Sequence, residues 1–272
     1  MDSKSQQSPI QTVLLFIAAL MFGFGALVQI ADQRNQSGIA VLYKPLKTPA
    51  DIIPLSNPVK AVAYTSVVSL AKLPVADKKQ RFVALLLPAI LISKQHQQQR
   101  RDRLVQLLST TSLSSTDQAW LEQLMTQYDA NSPTQLRQRM VDLPNSLILA
   151  QAAIETGWGS SRFFVQANNV FGVWSFDPSE ARIMARQQRD GEPVYVKRYA
   201  SLLGSIEDYF LTLGRGSAYA ELRRAARNTQ NSLALIQHLH RYSELGDDYV
   251  TRLDSMIRQN QLTRYDNYHL QH

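Results

Sequence analysis

Apolar residues recur at helical spacing along much of this chain. Between residues 78 and 108 they lie three or four positions apart, at Phe82, Leu85, Ala89 and Ile92, which predicts one long helix. Pro88 stands near the middle of that stretch. Because proline has no backbone N–H and its ring clashes with the preceding turn, we expect it to kink or interrupt the helix.

Capping residues and apolar spacing predict further helices downstream. The central helix should follow Pro144, a residue suited to a first helical turn, and end near Thr156, where Gly157 can adopt the left-handed conformation of a helix stop. The other predicted helices cover about 115–128, 131–141, 203–213, 218–227, 232–240 and 248–258.

The pattern changes between Val170 and Tyr199. A polar turn signal, Gln-Gln-Arg-Asp-Gly-Glu at 187–192, is followed by the alternating residues Val194, Tyr195 and Val196. We therefore predict a β-hairpin or an irregular lobe inserted among the helices.

The N-terminal region has a different composition. Residues 11–31 carry no charge and are rich in Leu, Phe, Ile and Val, which is long enough for the roughly 20 apolar residues of a membrane-spanning helix. A cleaved signal peptide is the competing interpretation, but no small-x-small cleavage site follows the run, so an uncleaved anchor is favoured. Residues 32–58 contain four prolines and no sustained apolar period, which is typical of an extended linker.

Composition and charge exclude several kinds of chemistry. The chain has no cysteine, and its five histidines do not form a metal-binding pattern, so we expect no metal and no cofactor. The net charge of +7 comes largely from residues 78–103. A run of this kind is usually the solvated face of a helix; contact with an acidic polymer or anionic lipid is a second interpretation, and nucleic acid is not the expected partner.

Glu155 is the residue most suited to chemistry. Helical spacing through Ile148, Gln151 and Ala152 places its carboxylate on a largely apolar stripe, in the last turn of the central helix. Exposed carbonyls at that helix end disfavour ionisation and raise a carboxyl pKa, and Trp158, Phe171 and Trp174 would add to this by desolvation if the fold brings them close. A glycosidase needs a protonated carboxyl of this kind, although most helix glutamates simply face water.

The surrounding residues favour the catalytic interpretation. The string Ala-Gln-Ala-Ala-Ile-Glu-Thr-Gly-Trp-Gly-Ser-Ser at 150–161, with Asn-Asn-Val-Phe-Gly-Val at 168–173, resembles the core motif of glycoside hydrolase family 73, a lysozyme-like group of bacterial N-acetylglucosaminidase domains. Later segments, including Ser-Ile-Glu-Asp-Tyr at 205–209 and Asp248-Tyr249, are similar to the same family. Residues 81–91 resemble the N-terminal helical region of the Bax-like proteins, a branch that carries this same domain.

The resemblance implies a mainly α fold: a lysozyme-like α-lobe with a small β-hairpin lobe, preceded by a helical N-terminal region and one transmembrane helix. It implies hydrolysis of the β-1,4 bond between N-acetylglucosamine and N-acetylmuramic acid in peptidoglycan, with Glu155 as general acid. Many members carry a second glutamate in the hairpin, where this chain aligns Gln187. The nearby carboxylates that could substitute are Glu180, Asp190 and Glu192, of which Glu180 and Glu192 are the chosen candidates; the substrate's own N-acetyl group is an alternative. The expected substrate-binding residues are Gln187, Trp174, Tyr199, Tyr242 and Asn169.

The same reasoning predicts how the chain is divided. We expect a short tail at 1–10, the anchor at 11–31, the linker at 32–58, a helical region at 59–141, a glucosaminidase domain at 142–260 and a tail at 261–272. The catalytic domain would face the periplasm from the inner membrane, or be secreted if the leader is cleaved. A peptidoglycan-binding scaffold with weak or no turnover remains the alternative function, because Gln187 cannot act as a carboxylate.

Overall fold

The computed structural model describes residues 39–189 and 192–271, with side chains given for all of these except 186–189. From Val41 onward the chain forms one compact unit. It is mainly helical, with two small sheets. The helices are α1 (Val75–Leu108), α2 (Ser115–Gln127), α3 (Pro133–Arg139), α4 (Asn145–Thr156), α5 (Arg162–Ala167), α6 (Leu202–Arg215), α7 (Ala220–Ala226), α8 (Ser232–Leu235) and α9 (Asp247–Gln259).

The first sheet pairs two short parallel strands, β1 (Leu42–Pro45) and β2 (Val62–Ser66), with Leu42 opposite Val62. A 3₁₀ turn, Pro49–Asp51, lies between them, and the Asp51 carboxylate accepts the backbone N–H of Thr48 at 2.7 Å. Val59 pairs with the end of the chain, donating to the His269 carbonyl at 2.8 Å.

The second sheet is an antiparallel hairpin of β3 (Arg182–Arg189) and β4 (Glu192–Lys197). It confirms the hairpin predicted from the turn signal. Arg182 lies opposite Lys197 and Met184 opposite Tyr195, and the register shifts between Met184 and Gln188. An isolated bridge between Trp174 and Val196 ties the preceding loop to β4.

Helix α1 runs from Val75 to Leu108 without a break, so the expectation that Pro88 might interrupt it is wrong. Every residue from Phe82 to Ile92 is buried, Pro88 included. Proline removes one hydrogen bond from a helix. Burial of an apolar segment on all sides stabilises the helix by more than that single bond costs.

Helix α4 is the central element of the fold. Its residues from Asn145 to Ala153 are all buried, because it packs against α1, α8, α9 and the 3₁₀ turn Leu262–Tyr265. Gly157 ends it in the left-handed conformation, with φ of 58°. The predicted stop at Gly157 is therefore confirmed, and Glu155 is fixed in the last turn of a helix that the core holds on most sides.

Most of the other predicted helices are present with small shifts of their ends. The helix predicted at 232–240 is instead the short α8 (Ser232–Leu235) followed by a 3₁₀ turn, Ile236–His238. Ser114 caps α2, since its hydroxyl accepts the N–H of Asp117 at 3.1 Å, and Ser132 caps α3 in the same manner. The pattern did not predict α5, a short helix that Ser161 caps by accepting the N–H of Phe164 at 3.2 Å.

The predicted fold class requires one correction, the transmembrane helix. In the part of the chain that the structure describes, no helix is both long enough and apolar enough to cross a bilayer. The longest, α1, has a buried apolar centre from Phe82 to Ile92, which is shorter than the roughly 20 apolar residues a span needs, and charged residues flank it. Residues 11–31, to which the span was assigned, lie outside the described residues.

Candidate active site

Glu155 lies half-buried at the C-terminal end of α4, facing α9. The Tyr249 hydroxyl, from the first turn of α9, donates to Glu155 Oε1 at 2.9 Å. Tyr249 is 1% exposed, so the bond is protected from water on that side. The carboxyl group thus has one buried oxygen in a fixed hydrogen bond.

This bond is the end of a longer polar chain inside the core. Tyr209 of α6 donates to Gln151 Oε1 at 2.6 Å, and Gln151 Nε2 donates to the Tyr249 hydroxyl oxygen at 3.2 Å. Gln151 stands one turn before Glu155 on α4 and is fully buried. Because Gln151 donates to the Tyr249 oxygen, the Tyr249 proton is directed at Glu155.

Burial raises the pKa of Glu155 above the usual range for a glutamate, and the hydrogen bond from Tyr249 opposes this more weakly. The C-terminal end of α4 acts in the same direction as burial, since the carbonyls of a last helical turn carry partial negative charge. Burial and the Glu155 charge in turn raise the pKa of Tyr249. Tyr249 therefore stays protonated as a donor, and burial shifts Glu155 toward its protonated form.

Stacked aromatic rings continue the site away from Glu155. Tyr242 stacks on Tyr249 with ring centroids 5.5 Å apart and planes 14° from parallel, and Tyr219 lies 6.1 Å beyond Tyr242. Phe171 stacks on Tyr209 at 4.1 Å. Tyr242, an expected substrate-binding residue, is thus brought into the Glu155 cluster, and the residue is partly exposed.

The two asparagines after α5 hold the backbone of the neighbouring loop. Asn169 donates to the carbonyls of Val173 and Lys197 and accepts the Val173 N–H, all at 2.9–3.0 Å. Asn168 donates to the carbonyls of Thr65 and Tyr199. Asn169 is 1% exposed, so its described role is to join this loop to β4.

A second polar network links the loop, β4 and α6. Lys197 pairs with Glu180 at 3.0 Å and with Asp208 at 3.6 Å. Tyr199 donates to Asp208 at 2.6 Å, and Ser175 donates to Glu180 at 3.0 Å. The expected residues Tyr199 and Glu180 therefore meet around Lys197, where each already has a partner.

The other expected residues lie on the hairpin side. Trp174 is 39% exposed, 6.0 Å from the exposed ring of Phe176, so two aromatic faces meet solvent here. Glu192 begins β4 and is exposed. Gln187 lies in β3, and its side chain is outside the described residues.

Trp158, one of the expected aromatic neighbours of Glu155, packs its ring against α1. It turns away in a left-handed conformation, with its ring 5.4 Å from Phe82 and the Lys79 ammonium 5.2 Å from its centroid. The groups that surround Glu155 are instead tyrosines from α6 and α9. The one signal for them in the sequence is Gln151, a polar residue on the apolar stripe four positions before Glu155.

Two kinds of comparison with known proteins bear on this arrangement. Residues 131–262 match the family model described as mannosyl-glycoprotein endo-beta-N-acetylglucosaminidase. Residues 131–262 are a glucosaminidase-family domain. The match includes Glu155, the polar chain behind it and the hairpin, and it confirms the family recognised in the motif at 150–173.

The glucosaminidase domain is also similar to named proteins. It is 34% identical over 140 residues to the peptidoglycan hydrolase FlgJ of Salmonella typhimurium, covering 47% of this chain and 43% of that one. It is 29% identical over 135 residues to Protein bax of Escherichia coli, covering 46% of each. The chain thus spans less than half the length of these relatives.

Among solved structures, the catalytic domain of the autolysin Auto from Listeria monocytogenes is similar over 61% of this chain and 97% of that domain, with 21% identity and a TM-score of 0.39.

Along the described residues, no group of three or more His, Asp or Glu side chains is placed to hold a metal ion.

Proposed function

We propose that this protein hydrolyses the β-1,4 bond between N-acetylglucosamine and N-acetylmuramic acid in peptidoglycan, with Glu155 as the general acid. The observation that carries the proposal is the environment of Glu155: a half-buried carboxyl at a helix end, with a raised pKa. The relatives named peptidoglycan hydrolases support the choice of substrate. That substrate implies that the domain acts outside the cytoplasm.

The polar chain defines which oxygen of Glu155 would act. Tyr249 donates to Oε1, so in the protonated acid Oε1 is the accepting oxygen and the proton lies on Oε2. Oε2 would give that proton to the leaving sugar oxygen as the bond to the anomeric carbon breaks. Charge that develops on Glu155 after transfer is then stabilised by the Tyr249 hydroxyl, at about 1.5–3 kcal/mol for a hydrogen bond to a charged group.

The second carboxylate stays a prediction, with Glu180 and Glu192 as its two positions. Glu180 is bound to Lys197 and Ser175, whereas Glu192 is exposed beside the hairpin turn. A carboxylate base that activates water gives an inverted anomer, and assistance by the substrate's N-acetyl group gives a retained one. Proton NMR of the first product formed distinguishes them, and Glu180→Gln and Glu192→Gln show which carboxylate an inverting reaction needs.

The substrate itself is tested by mass spectrometry of the muropeptides released when the full chain digests purified sacculi. The expected products carry N-acetylglucosamine at the reducing end. Products ending in N-acetylmuramic acid would refute the assigned bond. Binding to sacculi without any product would favour the scaffold function instead.

A further inference from the structure

A cavity lined by arginines lies apart from Glu155, where α1, α3 and α7 meet the loop before α4. Its volume is about 600 Å³. Four of its lining residues are arginines, namely Arg101, Arg137, Arg223 and Arg227. Positive charge is therefore concentrated in one concave site of a size that suits a small ligand.

These arginines have no acidic partner among the described residues. The one carboxylate in the lining, Asp142, is bound by Lys94 at 3.4 Å. Arg101 donates to Gln98 at 2.8 Å and Arg227 to the Arg223 carbonyl at 3.2 Å, so these two contact only neutral groups. Arg137 makes no hydrogen bond or ion pair in the described part of the chain. A single exposed arginine without an acidic partner costs little free energy, but four positive guanidinium groups around one cavity repel each other.

Arg223 strengthens the case because it is only 8% exposed. Its Nη1 donates to the carbonyls of Leu213 and Gly216 at 2.7 Å, which fixes the guanidinium at the end of α6. Burial and the nearby charges of Arg139 and Arg227 lower its pKa. An anion bound in the cavity would offset that repulsion.

The lining also limits what the anion can be. No aromatic side chain is present for stacking on a sugar, and the apolar part consists of Met140, Val141 and Ala226. None of the large exposed apolar side chains of the described chain lines the cavity, which argues against a lipid surface. The space exceeds that of one small ion, and the side-chain amide of Gln138, which has no described hydrogen bond, can pair with a peptide group.

We propose that this cavity binds a short peptide carrying two or more carboxylates, through Arg101, Arg137, Arg223 and Arg227. The choice of a peptide rests on the proposed function, since peptidoglycan carries acidic peptides on its glycan. Arginine binds carboxylates through two parallel hydrogen bonds. From Asn145 to Glu155, α4 rises about 15 Å at 1.5 Å per residue, so the peptide site and the proton donor lie at opposite ends of one rigid helix.

The test is fluorescence anisotropy of the full chain with a labelled all-glutamate peptide, alongside an all-glutamine peptide of equal length. The glutamate peptide is expected to bind and the glutamine peptide is not. Arg137→Gln and Arg227→Gln are each expected to weaken binding roughly tenfold. Both residues are exposed, so neither change should impair folding, which thermal melting checks.

Arg252→Gln is the matched control. Arg252 is exposed on α9, has no described partner and lies outside the cavity, so its loss should leave peptide binding unchanged. Equal weakening by Arg252→Gln would refute the site, because binding would then follow net charge alone. Inorganic tripolyphosphate that binds tighter than the glutamate peptide would also overturn the proposal, in favour of a phosphate ligand. Since the assay measures no hydrolysis, its failure would leave the proposed reaction untouched.

Discussion

The polar chain behind Glu155 predicts how much stability the protein loses when the hydroxyl oxygen of Tyr209 is removed. In Tyr209→Phe the ring keeps its contacts with Phe171 and Phe210, at 4.1 and 5.7 Å, so no large cavity forms. What is lost is the 2.6 Å hydrogen bond to Gln151 Oε1, which then has no partner in a fully buried position. An orphaned buried acceptor costs about 1–3 kcal/mol. At about 2–4 °C per kcal/mol for a domain of this size, a cost near 2 kcal/mol lowers Tm by roughly 5 °C.

Thermal melting followed by circular dichroism measures this effect. Adding Gln151→Leu to Tyr209→Phe removes the orphaned oxygen, so the double variant should melt higher than Tyr209→Phe alone. Tyr268→Phe is the control, because its hydroxyl makes no described hydrogen bond, and it should stay within about 0.5 kcal/mol of wild type. If Tyr209→Phe melts like wild type, the hydrogen-bonded chain does not stabilise the core. The same conclusion follows if the Tm loss of the double variant equals the sum of the losses of Tyr209→Phe and Gln151→Leu measured separately.

Three further outcomes follow from the same site. Tyr249→Phe removes the bond that lowers the pKa of Glu155, so the basic limb of the kcat/KM pH profile should move to higher pH; a shift to lower pH contradicts this. Because burial raises the folded-state pKa of Glu155, the contribution of Glu155 to stability falls as pH rises above the usual glutamate range, and Glu155→Gln should gain more Tm at about pH 8 than at about pH 4. A pH-independent difference would refute that linkage. Gly157→Ala should lower the free energy of unfolding, measured with denaturant, by about 1–2 kcal/mol, because Gly157 has a φ of 58°, which alanine adopts only with strain. An unchanged unfolding midpoint would refute this expectation.

Sequence reasoning places the central helix, α4, well because its signals are local. The apolar stripe, Pro144 before the first turn and Gly157 after the last all act within a few residues, and each is seen in the structure. The hairpin was predicted for the same reason, since a polar turn between alternating residues fixes strand pairing nearby.

The partners of Glu155 depend on long-range contacts that no local pattern carries. Tyr249 is 94 positions from Glu155 along the chain, and Tyr209 is 58 positions from Gln151. Trp158 is one of the expected aromatic neighbours and is close to Glu155 in sequence, yet the left-handed turn at Gly157 and Trp158 places its ring 5.4 Å from that of Phe82. Proximity along the chain was therefore a poor guide once the helix had ended.

The arginine cavity is a second feature that local sequence patterns do not predict. Charge counting found the basic run at 78–103, but only Arg101 of that run lines the cavity. Arg137, Arg223 and Arg227 come from elements far away in the sequence. The net charge of a segment does not reveal which charges the fold will bring together.

The most direct test of the central claim is the rate at which Glu155→Gln releases reducing ends from sacculi, measured beside its binding to the same sacculi. General acid catalysis contributes about 10²–10⁴-fold, so the variant should lose at least about 100-fold in rate while binding is kept. Gln at this position still accepts the Tyr249 hydrogen bond, so the site should keep its shape. A rate within a few-fold of wild type would contradict the role of Glu155 as proton donor.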